Sequence, residues 1–504
     1  MSRPPSRFGA RRALALLVPL GALLGCTAEP PKPEEHRPEA PAAWQAELAS
    51  ERALEGPWWA SFEDAELSAL LEEALRANRD LRAAASRVEA AVVSARIAGA
   101  DLLPQASAGL GGRRGRQNVF GFPFAGGEDP FNFTVTNWNL SLDLAWELDV
   151  WGRLRAFERA ALADAAATEA EWSAAALSLT GLVAQAWFAV IETRQQARLA
   201  EETAQAYRET EQQLRDRAEL GVAPRVDLAL AEADRASAEA LLEQRRSQEA
   251  AAVRQLEILL GRYPQGAIAE RLDLPELPAP VPAGLPAELV HRRPDLVAAE
   301  RRAQAELARG ESARASLYPR LALTASGGTA TEEFEDLVDG DFRVWSIGAN
   351  VVQPIFEGGR LRARVELEDA RAREALEGFA DALLRAYAEV ETALAREVPL
   401  RAQVERLEGA VASAREALTL AEQRYAEGVE GFLLVLESRR RVLVNESARI
   451  VARRAVLQNR VELYLALGGG FDARAAESAA APLEYAEREE SAEQSEGAAS
   501  AAKQ

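Results

Sequence analysis

The chain of 504 residues carries 79 acidic against 59 basic residues, a formal net charge of −20 that excludes nucleic acid as a partner. One cysteine, one methionine and two histidines (His36, His291) rule out disulfides within the chain and a metal centre built from Cys and His. Ala, Glu, Leu and Arg dominate, which favours long helices over a string of compact globules.

Arg3, Arg7, Arg11 and Arg12 precede an apolar run from Ala13 to Leu24. That run is about 12 residues, where a bilayer-spanning helix needs roughly 20. Charged start, short apolar run and small residue before a cut make residues 1–25 a secretory signal peptide. Cys26 directly follows Leu23-Leu24-Gly25, which looks like a bacterial lipobox. On this reading Cys26 becomes the mature N-terminus and carries covalent lipid, palmitate included; no other cofactor and no metal is expected. Several acyl chains at ~0.8 kcal/mol per buried CH₂ hold a protein durably on a membrane. Thr27 in place of Asp, by likeness to other lipoproteins, points to the outer membrane. Pro30, Pro31, Pro33, Pro38 and Pro41 make residues 26–57 an extended tether.

Beyond the tether the chain repeats itself. Leu102-Leu103-Pro104-Gln105 recurs as Leu317-Tyr318-Pro319-Arg320, an offset of 215. Trp151-Gly152-Arg153-Leu154 recurs as Gly358-Gly359-Arg360-Leu361, an offset of 207 that also relates Gly221 to Gly428 and Leu260-Gly261 to Leu467-Gly468. Residues 58–261 and 287–470 are therefore two copies of one long unit. The eight-residue deficit falls between the first two landmarks.

Each copy opens with a helix, Asp64 to Asp101 in the first, with Leu67, Leu70, Leu71, Ala74 and Leu75 on one face. Pro104 ends it and the period changes to two. Trp138, Leu140, Leu142, Leu144 and Trp146 alternate with Asn139, Ser141, Asp143 and Ala145. This segment alone fits either a soluble amphipathic strand or a tilted membrane strand. Its second copy, with Trp345, Ile347, Ala349 and Val351 alternating, favours the membrane strand, and Trp138, Trp146 and Trp345 then become girdle aromatics. Partner strands are expected around Ala106, Ala108 and Leu110 and around Leu321, Leu323 and Ala325, with surface loops at Gly111 to Asn132 and Gly327 to Asp341.

Arg155 to Leu220 is one long helix, roughly 100 Å at 1.5 Å per residue. In copy two Leu400, Val404, Leu407, Val411, Ala414, Leu418, Ala421 and Tyr425 mark a coiled-coil seam. The copy-one seam is Ala197, Ala200, Ala204, Tyr207, Glu211, Leu214 and Ala218, with Glu211 the misfit, and Pro399 is placed to kink copy two. Gly221 and Gly428 end these helices. Helix resumes near Val226 and Phe432 and runs to Gly261 and Gly468. A proline-rich linker, residues 262–286, precedes another half-length helix from about Ala287 to Leu317. Residues 471–504 are an acidic disordered tail.

A four-stranded sheet cannot close on itself, and open edges are not tolerated in lipid. The chain must oligomerise, and an open conduit needs at least three subunits. The chain here resembles the TolC-like outer-membrane factor family, in its lipoprotein branch of drug and heavy-metal efflux. The residues carrying the resemblance are Trp58-Trp59 and Phe62, Asn78-Arg79-Asp80-Leu81, Leu103-Pro104, Trp146 to Arg153, Arg292-Arg293-Pro294-Asp295-Leu296 and Gln353 to Arg360. The resemblance implies a mainly α fold with a transmembrane β portion: a homotrimeric twelve-stranded β-barrel, four strands per chain, continuing into a long periplasmic α-helical barrel. It implies an outer-membrane exit duct of a Gram-negative bacterium for small molecules such as drugs or metal ions. Its expected partners are a periplasmic adaptor, an inner-membrane pump of the resistance-nodulation-division type and outer-membrane lipid.

The resemblance also implies a periplasmic gate at Asp227, Tyr425, Leu433 and Glu437, with the turns Gly221-Val222 and Gly428-Val429 as adaptor contacts. Where some members carry a basic latch residue this chain has Glu430, and one acidic pore position is Leu434. Three Glu437 carboxylates ~7 Å apart would repel by roughly 2 kcal/mol per pair at an effective dielectric of about 20. Other readings are a type I protein-secretion conduit, which shares the fold, and a lipid-anchored coiled-coil scaffold without a pore. An enzyme is not expected: Gly109-Leu110-Gly111-Gly112 is loosely phosphate-binding, but no helix follows it.

Overall fold

The computed structural model describes residues 30–41, 43–45, 57–119, 131–268, 271, 273–278 and 289–469. The signal peptide, Cys26 and the acidic tail lie outside them. Two compact units emerge: one holds residues up to 37, 91–165 and 301–378, the other 38–90, 166–300 and 379 onward.

The first unit contains an antiparallel sheet of β1 (Gln105–Val119), β2 (Phe131–Leu148), β3 (Arg320–Thr331) and β4 (Arg343–Val352), in that order. Its register preserves the alternation seen in the sequence. Ala106, Leu144, Ala325 and Ile347 share one row across the four strands, and Ser107, Asp143, Ser326 and Ser346 share the next. The apolar face is bare in the single chain: Leu142 is 62% exposed and Ile347 79%. Trp146, at the helix end of this face, donates its indole N–H to the carbonyl of Leu102 at 2.9 Å. Trp138 packs edge-on against Phe334, and Trp345 stands exposed on β4.

Two loop assignments need correction. Gly111 to Val119 is strand, as is Phe131-Asn132, and β3 continues through Gly327 and Gly328 to Thr331. Beyond it come only two short 3-10 turns, Phe334–Val338 and Gly340–Phe342. The glycines misled because one of them serves a neighbour. A Cβ at Gly112 would stand 2.2 Å from the Trp138 ring directly across the ladder.

The run from Trp146 to Arg153 turns strand into helix. Asp149 accepts hydrogen bonds from the backbone N–H of Leu154 (3.0 Å) and Arg155 (2.9 Å), capping α3 (Arg153–Glu219). Glu147 pairs with Arg153 at 2.9 Å. Trp151 stacks on Tyr318 and donates to the carbonyl of Pro319.

The second unit is helical. The first expected helix is broken into α1 (Ala65–Ala77) and α2 (Arg79–Ala100). Asn78 sits at the break and bridges: its Oδ1 accepts from Leu81 N–H at 3.0 Å, capping α2. Its Nδ2 donates at 2.8 Å to the carbonyl of Leu259, the last residue of α4 (Arg225–Leu259). The second copy does the same with different chemistry. The half-length helix is α5 (Leu289–Arg292) plus α6 (Pro294–Ala315), and α7 (Arg360–Ala426) leads to α8 (Phe432–Ala466). Arg293 donates to the carbonyl of Ala466 at 3.2 Å and pairs with Asp295 and Glu389. Asn78 and Arg293 are related by the offset of 215, Leu259 and Ala466 by that of 207. Half-helices therefore stack end to end through one polar side chain in each copy.

Trp58, Phe62, Phe188 and Tyr464 form an aromatic cluster in the core of this unit, Trp58 stacking on Tyr464 at 5.5 Å. A window of α3 is long and apolar enough to cross a membrane, but 61% of it is buried in protein, so its apolarity serves packing. Pro399 does not interrupt α7, which is one helix from Arg360 to Ala426. Nor is Glu211 a misfit: buried at the seam, it pairs with Arg215 and, at 2.6 Å, with Arg235.

Candidate functional site at the helix turns

The two turns of the helical unit have one construction. After α3, Gly221 takes φ +75° and its N–H bonds to the carbonyl of Ala218, while Val222 N–H bonds to that of Arg217 at 2.9 Å. After α7, Gly428 also takes φ +75°, its N–H bonds to the carbonyl of Tyr425, and Val429 N–H bonds to that of Arg424 at 3.0 Å. This 6→1 and 5→2 pairing stops a helix sharply at a left-handed residue, which glycine alone adopts without strain. The turns leave apolar side chains in the open, among them Val222 (64% exposed), Val429 (62%) and Leu433 (68%).

Tyr425 ties the two hairpins together. Its ring packs on Phe432 of its own hairpin (5.4 Å between centroids), and the Arg217 guanidinium of α3 lies 5.3 Å from its centroid. Burial pushes the tyrosine hydroxyl above its ordinary value, the Arg217 cation opposes that and the nearby Asp227 carboxylate reinforces it. Among the described residues no hydrogen bond joins Tyr425 to Asp227. The direct contact from the first hairpin is Arg217, whose place opposite a tyrosine 208 positions onward leaves no local signal in the sequence.

A second cross-hairpin contact lies on α8. Arg439 donates to Thr210 Oγ1 (2.7 Å) and to the carbonyl of Ala206 (3.0 Å) on α3, pairs with Glu422 of α7 (2.6 Å) and lies 5.6 Å from the Tyr207 centroid. Glu437 is half exposed on α8 and pairs with Arg441 at 3.2 Å. Glu430, at a position where a base was expected, pairs instead with Arg424 at 3.0 Å. The described residues contain no metal-binding group of His, Cys, Asp or Glu.

A sheet bare on its apolar face, joined to long paired helices with capped turns, defines the protomer of an outer-membrane channel. The chain belongs to the outer membrane efflux protein family, whose profile matches residues 70–262 and 285–469. It is 34% identical over 464 residues to the pyoverdine export outer membrane protein OpmQ of Pseudomonas aeruginosa, covering 90% of this chain and 96% of the relative. It is 34% identical to outer membrane protein OprJ of the same organism over 472 residues, covering 91% and 95%. The solved structure of the outer-membrane channel OprN superposes with a TM-score of 0.77 at 28% identity, covering 88% of this chain and 99% of that one. The fold is accordingly that of the trimeric TolC-family channels, a β-barrel followed by a long helical barrel, and the function is that of an outer-membrane efflux channel.

Proposed function

We propose that three copies of this chain form the exit duct of a tripartite efflux system. The duct receives small molecules such as drugs or metal ions from a periplasmic adaptor and an inner-membrane pump of the resistance-nodulation-division type. Lipid on Cys26 adds a second hold on the outer membrane. The turns Gly221-Val222 and Gly428-Val429 offer the adaptor exposed apolar side chains on rigid caps. Asp227, Tyr425, Leu433 and Glu437 form the periplasmic gate, and Arg217 joins them.

The observation that supports this reading is the Arg217–Tyr425 contact, which joins the two hairpins beside the turn at Gly428. An exposed cation–π contact is worth about 0.5–1 kcal/mol. Three per trimer stabilise the closed state by roughly 1.5–3 kcal/mol, at about 1.4 kcal/mol per tenfold change in population. Arg217→Ala should therefore raise conductance in planar bilayers several-fold. Tyr425→Phe, which keeps the ring, should change it little. Wild-type conductance in Arg217→Ala would remove this latch.

A further inference from the structure

The apolar face of the sheet ends on arginines. In the membrane that face meets lipid, while the row of Ser107, Asp143, Ser326 and Ser346 faces the lumen. On β2 the apolar face runs from Trp146, at the helix end, to Trp138, about 27 Å along a strand that rises about 3.4 Å per residue. Tilted by about 35–45°, that length covers about 20 Å of the membrane normal, near the height of a barrel's apolar band. Trp138 and its repeat equivalent Trp345 therefore mark the outer boundary of the hydrocarbon.

One step further out on the same face, each hairpin carries an arginine. Arg114 stands opposite Thr136 on β1–β2, and Arg343 stands opposite Thr329 on β3–β4. The offsets of 215 and 207 carry Arg114 to Thr329 and Thr136 to Arg343, so both pairs occupy one level of the repeat with the strands exchanged. Arg116, opposite Thr134, adds a second cation on β1. All three side chains are exposed. The connection from Glu332 to Asp341 carries six carboxylates next to Arg343 in sequence. Even so, among the described residues none of the three arginines forms an ion pair. In a chain of net charge −20, uncompensated cations at one level of a lipid-facing wall suit anions held at that level. The arginine stem lies along apolar surface while its head reaches the polar layer, and the guanidinium fork grips phosphate through two parallel N–H donors.

We propose that Arg114, Arg116 and Arg343 bind the phosphate groups of the phosphorylated glycolipid in the outer leaflet. The proposal rests on the outer-membrane channel described above. The trimer, purified in neutral detergent, is titrated with bisphosphorylated lipid A, and lipid adducts are counted by native mass spectrometry. The triple variant R114Q/R116Q/R343Q should bind it several-fold more weakly than the wild type, and Arg114→Gln and Arg343→Gln should each lose part of the binding. Arg113→Gln, equally exposed on the same strand but on the lumen face, should bind as the wild type does. Lipid A stripped of both phosphates should bind the wild type and the triple variant alike, and the phosphate-dependent difference should shrink as salt is raised. Undiminished binding in the triple variant, or an equal loss in Arg113→Gln, overturns the site. Displacement of the lipid by equimolar inorganic phosphate overturns the glycolipid as its occupant. A wild-type chain that fractionates away from the outer membrane overturns the lipid-facing wall itself.

Discussion

Asp149 holds its charge because folding gives it partners. Burial disfavours the carboxylate, but the N–H groups of Arg155 and Leu154 and the Arg155 guanidinium outweigh that, leaving its pKa below the ordinary aspartate value. A lowered folded pKa stabilises the protein in full above the unfolded value of about 3.9. That stabilisation is lost as the pH falls through the folded value. Asp149→Ala should cost about 0.5–2 kcal/mol of stability at pH 7, the usual loss of a capping side chain. Urea denaturation of the detergent-solubilised protein should show that difference shrinking below about pH 3.9. An equal deficit at both pH values would mean that the charge contributes nothing.

Among helices, the stacked junctions show what sequence makes legible and what it does not. The repeat, the strand alternation and the glycine caps were readable because period and offset report backbone geometry directly. The break at Asn78 was not, because an amide between two helical runs looks like any polar surface position. Its role depends on Leu259, 181 residues away. The strand ends were misread for a related reason: Gly112 makes room for Trp138 on another strand, a cross-strand fact that propensity does not hold. Of the contacts near the turns, the glycine cap at Gly428 was legible, whereas Arg217 and Arg439 act across hairpins and carry no local mark. Asn78→Asp separates the two functions of the bridge. It keeps an acceptor for α2 but puts a carboxylate against the carbonyl end of α4, where the helix dipole repels it. Expected is a loss of about 1–2 kcal/mol in thermal or urea denaturation, with Asn78→Ser losing less. Wild-type stability in Asn78→Asp would show that the half-helices need no bridge.

Across the trimer, each single-chain ion pair becomes a ring of three, and this changes what Glu437 does. Read alone, it promised a ring of three mutually repelling carboxylates. The structure sets Arg441 one helical turn along the same face, 3.2 Å away, so each carboxylate carries its own counter-charge. Both side chains are at least half exposed, so the pair is screened by salt and weak in energy. Its influence on permeating ions extends only about a Debye length, ~10 Å at 0.1 M. Placed at the constriction, three Glu437–Arg441 pairs leave little net charge. Removing either partner exposes three like charges at once. Arg441→Ala should shift the reversal potential in a KCl gradient toward cation preference, and Glu437→Ala should shift it toward anions. Both shifts should grow as the salt is diluted. If instead Glu437→Ala alone moved the potential and Arg441→Ala did not, Arg441 would lie off the permeation path and the bare carboxylate ring would be restored as the selectivity element.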